Sequence, residues 1–182
     1  MIYYNDVIFS KQECVDILNS TNEYIQSVVG INYNNELYDM VANTNKRKST
    51  QAEMSAKQDT FIYKRINEIV NTFNYKLVCD ELNYDIIKYK ESDFVWKHRD
   101  ENGERMFTIV VQLNEDNSYT GGEFVYWLDG VEYQMDKNIG MGIAFKASVF
   151  HEVKAVIIGE RHSFVSFIKF TDIEKIGGKG LI

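Results

Sequence analysis

Residues 94–103 read FVWKHRDENG, an aromatic and apolar run that passes through His98-Arg99-Asp100 and stops at an Asn-Gly pair. Asn-Gly is a strong turn signal, so the run predicts a strand that ends in a tight turn. Side chains two positions apart on a strand share a face. His98 and Asp100 therefore project together from a segment otherwise suited to a core. Two polar groups on one face of a core strand are costly unless something satisfies them.

Working outward, KLVCDEL, YDIIKYK, RMFTIVVQL, GEFVYWL, VEYQM, GIAFKAS, HEVKAVII and HSFVSFIKF surround this run, broken by NG, DNSYTGG, DG, NIGMG and GE. Many short strands with turns at close intervals predict an antiparallel sandwich or barrel. The earlier part of the chain has a helical period. SKQECVDILNSTNEYI (10–25) predicts a helix with Ser10 as N-cap, Glu13 completing a capping box, and Val15, Leu18 and Ile25 on one side. A second helix is expected from Ala52 to Asn74, where Phe61, Ile62, Ile66, Ile69, Val70 and Phe73 recur at helical spacing. Between them NTNKRKSTQ (43–51) reads as an exposed loop, mobile until a substrate closes it. Helices first and strands afterwards predict an α+β fold with the N-terminal helices packed on one sheet. The expected organisation is a single domain over 1–182, with a helical support region at 1–80 and a strand core at 81–172.

Composition bounds the function. The 182-residue chain is 45% apolar and 26% charged, ordinary for a globular protein. No apolar run approaches the roughly 20 residues that span a bilayer, and MIYYNDVIFSK shows no signal-peptide pattern. Cys14 and Cys79 form no metal-spacing motif and read as reduced structural thiols, which predicts a cytoplasmic protein. A formal charge of −7 argues against nucleic acid as a partner. Proline is absent, so the turns rest on Gly, Asn and Asp.

The chain has three histidines: His98, His151 and His162. His151 follows the apolar run GIAFKASVF, with enough chain after Asp100 for several hairpins to return it alongside. Two histidines and one carboxylate make the facial triad of non-haem Fe(II) sites, which leaves positions open for substrate and oxygen. Taken singly, the HxD triplet is weak and His151 reads equally as a structural histidine at a strand end. Arg161 strengthens the metal assignment. Its neighbours in GERHSFVSFIKF are apolar, so an inward arginine needs an anion. Alternation then sends Ser163, Val165 and Phe167 inward and His162 outward, where it reads as structural.

Together, YKESDFVWKHRD, FTIVVQLNE, TGGEFVYW and GMGIAFKASVFHEVKAVIIGERHSFVSFIKF resemble the 2-oxoglutarate- and Fe(II)-dependent oxygenases, in particular their prolyl 4-hydroxylase-like branch. The resemblance spans about Tyr84 to Phe170, and more loosely the N-terminal helices and the RKS stretch. It implies a double-stranded β-helix, or jelly roll, in which His98, Asp100 and His151 hold Fe(II) and Arg161 pairs with the distal carboxylate of 2-oxoglutarate. O2 would be the second co-substrate and ascorbate a reductant to include in assays. Tyr89 stands where the family has a tyrosine lining the cosubstrate pocket, with a core aromatic as the equal alternative. Thr108, Gln112, Phe124 and Ser163 share the inward parity of the cosubstrate-facing strands. Gln112 replaces a tyrosine that many relatives carry, and Ser92 replaces a glycine in a turn. The paired glycines of TGGEF permit a tight left-handed turn into a strand close to the cosubstrate. Glu123 reads as an exposed or supporting carboxylate.

The implied activity is hydroxylation of a C–H bond coupled to oxidative decarboxylation of 2-oxoglutarate, with a peptidyl proline as the first substrate to test. Arg47, in an R-x-S segment that shapes the active-site mouth in relatives, and Trp96 are candidate substrate contacts; a solvated basic loop is the alternative for Arg47. A free amino acid or another small molecule is the alternative substrate. Two further classes stay open, a catalytically silent module that binds iron or 2-oxoglutarate and a structural jelly roll. The intact triad with Arg161 argues against both. Phe167 stands where nucleic-acid demethylases carry a second arginine, which agrees with the acidic charge.

Overall fold

The structure, a computed structural model, describes residues 1–21, 23–27, 29–33, 37–41 and 46–177. Strand β1 (Ile2–Val7) leads into helix α1 (Lys11–Ser20). A short β2 (Ile25–Gln26), the hairpin β3 (Val29–Tyr33) and β4 (Leu37–Val41), and β5 (Arg47–Lys48) precede β6 (Thr50–Lys57). Helix α2 (Phe61–Asn71) and β7 (Tyr75–Leu77) come next. The body of strands opens with β8 (Glu81–Tyr89), β9 (Phe94–His98), β10 (Arg105–Gln112), β11 (Tyr119–Gly121), β12 (Phe124–Leu128) and β13 (Val131–Gln134). It closes with β14 (Met141–Lys146), β15 (Phe150–Val153), β16 (Val156–Gly159), β17 (Arg161–Lys169) and β18 (Ile173–Lys175).

Two antiparallel sheets face each other as a jelly roll. The larger runs β1-β14-β10-β17-β8-β6-β2 and the smaller β13-β12-β15-β9-β5. Alternation along the strands of the large sheet builds two cores. Phe107, Ile109 and Val111 of β10, Leu82, Tyr84 and Ile86 of β8, and Phe164 and Ile168 of β17 face the helices, where they meet Cys14 and Ile17 of α1 and Ile62, Ile66, Ile69 and Val70 of α2. The opposite face contributes Ile87, Tyr89, Val110, Ile143, Phe145 and Val165, which pack against Val95, Phe124, Tyr126 and Val153 of the small sheet. The helices thus cover one face of one sheet, and the other face lines the roll. The polar side chains considered below face this interior from both sheets.

Several boundaries differ from the sequence expectation. The helix expected over Ala52–Asn74 begins only at Phe61; residues 50–57 are β6, paired with β8 through Ala52↔Ile86 and Ala56↔Leu82. TQAEMSAK consists largely of residues that suit helices, and Ala52 and Ala56 mimic a helical stripe, but pairing with a long central strand outweighs a propensity of a few tenths of a kcal/mol per residue. The α2 cap is Thr60, whose hydroxyl accepts from the Tyr63 amide. The helix expected to reach residue 25 stops at Ser20, because the Ser20 and Thr21 hydroxyls donate to the Ile17 carbonyl at 2.8 and 2.9 Å. Its buried face is Cys14 and Ile17, while Val15 and Ile25 are exposed. The Ser10–Glu13 capping box forms as expected.

Of the loop expected at 43–51, residues 43–45 lie outside the described residues. The remainder is not a loop: Arg47 and Lys48 pair with Val95 and Phe94 of β9, Ser49 is buried, and Thr50 begins β6. Residues 1–80 therefore supply strands β1, β2 and β6 to the large sheet as well as helices, and β18 lies beyond 172. HEVKAVII is two strands parted at Lys154-Ala155, and KLVCDEL is cut at residues 78–80, with Glu81 opening β8. Among the described residues, no helix is long and apolar enough to cross a membrane, and both cysteines are free.

Candidate metal and cosubstrate site

A bulge positions the first two side chains. β9 pairs with β15 as His151↔His98 and Val153↔Val95, so β9 holds one extra residue between the pairs. Val95 enters the inner core, and three positions later His98 faces inward too, opposite His151. Asp100 follows just past the strand, its amide donating to the Ala147 carbonyl at 2.9 Å. The result is a cluster in which one ligand atom from each of His98, Asp100 and His151 lies within 4.8 Å of the others. Nε2 of His98 is 3.5 Å and Nε2 of His151 3.4 Å from the Asp100 carboxylate.

The remaining ring nitrogens fix the tautomers. Nδ1 of His98 lies 2.8 Å from the Trp96 carbonyl, and Nδ1 of His151 lies 3.0 Å from the Val149 carbonyl. A backbone carbonyl accepts only, so each Nδ1 carries a proton and each Nε2 is the ring atom turned to the cluster. Burial pushes the Asp100 carboxyl up, but the His151 and His98 rings and the Thr108 hydroxyl, which donates at 2.7 Å, together hold it well below the usual carboxylate range. Burial lowers His151 to about 4 despite the opposing pull of Asp100. Phe124 stacks on the His151 ring at 5.5 Å and Phe145 leans on it at 4.9 Å, which locks its orientation. Two imidazoles and a carboxylate on one inner wall are the donor set of a divalent metal with open positions.

Across the interior, on the inner face of the large sheet, Arg161 is fully buried. Its Nη1 donates to the Ser163 hydroxyl at 3.2 Å, its Nη2 has no hydrogen-bond partner, and no carboxylate pairs with it among the described residues. A guanidinium cannot shed its proton, so this end of the roll holds a buried positive charge awaiting an anion.

A family model described as the 2OG-Fe(II) oxygenase superfamily matches residues 84–169, the span that carries the cluster and Arg161. Residues 84–169 belong to this superfamily. Solved oxygenases share its fold at low identity. A prolyl-4-hydroxylase from Pseudomonas putida superposes with a TM-score of 0.62 at 17% identity, covering 90% of each chain. A prolyl hydroxylase from Trichoplax adhaerens, solved with a peptide fragment of the hypoxia inducible factor oxygen degradation domain, gives 0.63 at 13% identity, covering 94% of this chain and 84% of that one. A viral collagen prolyl hydroxylase from Paramecium Bursaria Chlorella virus-1, in its 2OG complex, gives 0.59 at 17% identity over 90% and 93% of the two chains. No curated protein matches the chain. The oxygenase family uses Fe(II), 2-oxoglutarate and O2, and both the donor set and the unpaired Arg161 fit those groups.

In the oxygenase, the other residues singled out by sequence fall into three groups. Tyr89, Ser163 and Arg161 lie together: Arg161 Cζ is 5.3 Å from the Tyr89 ring, and Tyr89 pairs with Arg161 across β8 and β17. Thr108 and Phe124 serve the cluster, on Asp100 and His151 respectively. Gln112 is buried on the inner face, but its amide nitrogen donates to the Asn114 carbonyl and Oδ1 at 3.2 and 3.1 Å. Arg47 sits on β5, its Nε donating to Ser49 at 3.0 Å. Trp96 is 63% exposed and lines an outer groove of about 410 Å³ formed by residues 94–97 and 152–155, which includes none of the cluster.

Sequence reasoning missed two groups. Tyr119 is buried just before the paired glycines, where nothing distinguishes it from a core aromatic. Asp85, two rows along β8 from Tyr89, is pushed up to about 6 by burial, with Arg47 and Arg105 opposing. Its position next to Val165, toward Phe167 and Arg105, places it at the opposite end of the sheet from Arg161. Period-two counting from Tyr89 finds it.

Proposed function

We propose that the chain hydroxylates a C–H bond of a peptidyl proline, with His98, Asp100 and His151 holding Fe(II) and Arg161 pairing with the distal carboxylate of 2-oxoglutarate. The carrying observation is a fully buried guanidinium without a carboxylate partner, facing the same interior as a His-Asp-His cluster. Fe(II) and 2-oxoglutarate, when bound, supply the oxidative chemistry that inserts oxygen into a C–H bond. The chain's own part is positional. The Trp96 and Val149 carbonyls aim the imidazoles, the Thr108 hydroxyl donates to Asp100 and orients it, and Phe124 and Phe145 exclude water from the His151 side.

Three features support a peptide reaching the open side of the roll. Arg47 borders β9, the strand that carries His98, and provides a planar donor suited to a backbone carbonyl or carboxylate. Arg105, stacked on Phe167 at 3.7 Å, and Asp85 add charges of both signs beyond the cluster. The structural neighbours named as prolyl hydroxylases provide the choice of proline. Two free thiols suit a reducing compartment such as the cytoplasm.

The test is mass spectrometry of products after incubation with Fe(II), 2-oxoglutarate, ascorbate and O2. Proline-containing peptides, proline-free peptides, free proline and other amino acids are the substrates. Gain of one oxygen on proline within a peptide supports the proposal. Gain only on a free amino acid replaces the peptide with a small molecule, and Asp85 with the two arginines would then be the groups that bind its ammonium and carboxylate.

A further inference from the structure

We propose that the Tyr119 hydroxyl is the second anchor of the 2-oxoglutarate distal carboxylate, in place of a donor from residue 112. This rests on the reading above that Arg161 holds that carboxylate. Tyr119 begins β11 and is almost wholly buried, yet its hydroxyl makes no well-formed hydrogen bond among the described residues, and only the Arg161 guanidinium, itself a donor, comes close enough to act on it as one. Arg161 Nη2 likewise has no hydrogen-bond partner among the described residues. Leaving a buried polar group unpaired is costly, so two such groups side by side point to a missing ligand.

That they are side by side follows from Gly122. A Cβ on this residue would lie 3.1 Å from Cδ of Arg161 and 3.2 Å from Cε2 of Tyr119. The two side chains flank one glycine, and any larger residue there would push them out of place. The Arg161 guanidinium also acts on the Tyr119 hydroxyl, drawing its pKa down while burial, the stronger effect, pushes it up. The phenol therefore stays protonated near neutral pH and has a hydrogen to give.

Both unpaired atoms are donors. If Nη2 donated to the phenol oxygen, the phenol's own proton would still lack an acceptor, so the pair cannot satisfy itself. One carboxylate, with two oxygens, satisfies both. The surroundings hold this arrangement. Ser163 fixes the guanidinium through Nη1, and Lys137 sits 4.2 Å from the centre of the Tyr119 ring while donating to the Gly121 carbonyl at 2.9 Å. Gln112 cannot substitute, because its amide hydrogens are committed to Asn114.

The experiment measures 2-oxoglutarate binding by calorimetry to the Mn(II)-loaded protein, for wild type and Tyr119→Phe, with 2-oxopentanoate as a competitor that lacks the distal carboxylate. Mn(II) affinity and ligand-free melting of both proteins are measured alongside. Loss of one hydrogen bond to a charged group lowers 2-oxoglutarate affinity roughly 10- to 100-fold. The preference for 2-oxoglutarate over 2-oxopentanoate should fall by the same factor, with Mn(II) affinity and melting unchanged. Unchanged 2-oxoglutarate affinity overturns the proposal. So does an equal loss for both acids, since the hydroxyl would then act through the metal or the fold. A wild-type protein that binds Mn(II) but not 2-oxoglutarate overturns the Arg161 assignment itself and this proposal with it.

Discussion

At the scale of single residues, Asp100 joins the two histidines into one site. It lies about equally far from both Nε2 atoms, and His151, His98 and Thr108 together hold its carboxyl well below the usual range. Asp100→Ala is expected to remove bound metal and turnover together, measured by metal content after gel filtration and by product formation. Arg161 carries a different expectation. Replacing it with alanine should weaken 2-oxoglutarate binding by on the order of 2–5 kcal/mol while Mn(II) affinity stays near wild type. Because its charge is buried and unpaired without ligand, Arg161→Leu should melt no lower than wild type when ligand-free. The order should reverse when saturating 2-oxoglutarate is added, which thermal melting with and without the diacid reads directly. Both residues were singled out in the sequence, Asp100 by its two-residue spacing from His98 and Arg161 by its apolar neighbours and its parity with Ser163. Tyr119 was not, since an unpartnered hydroxyl is a property of three-dimensional neighbours.

Elements show where local signals win and lose. Ser92 adopts φ +69° in the turn between β8 and β9, a left-handed conformation that glycine reaches without the Cβ penalty. Ser92→Gly is therefore expected to raise stability by about 0.5–1 kcal/mol in urea unfolding, without loss of 2-oxoglutarate binding. At α1 the capping box is complete, and Ser10→Ala should cost about 1 kcal/mol by the same measurement. The strands from β8 to β17 were legible because aromatic and β-branched runs end at Gly, Asn and Asp turns. β6 was not: its helix-forming residues become a strand only because β8 offers a full row of backbone partners. The same holds for Arg47-Lys48, two basic residues without periodicity that the edge of β9 draws into the small sheet. Long-range pairing of this kind leaves no local trace.

For the whole molecule, the site is a product of pairings between segments distant in sequence, so fold and site form together. His162, on the outward face of β17 near the Tyr24 ring, couples overall stability to pH. Burial lowers it to about 4, against an ordinary value of 6.5, with Glu160 opposing. Below the ordinary value the unfolded chain binds this proton first, so stability is lost as pH falls from about 6.5 towards 4. Between pH 7 and 4.5 this one histidine accounts for about 2–3 kcal/mol, and His162→Gln should shrink the pH dependence of urea unfolding by that amount. The jelly roll, the inward cluster and the buried guanidinium converge on one central claim: the chain consumes 2-oxoglutarate at a His98–Asp100–His151 metal site. The most direct measurement is succinate formed from 2-oxoglutarate by wild type, Asp100→Ala and Arg161→Ala, with and without Fe(II) and O2. The account predicts succinate from the wild type only when both are present, none from Asp100→Ala, and from Arg161→Ala only at much higher 2-oxoglutarate. Succinate from Asp100→Ala at the wild-type rate would contradict it.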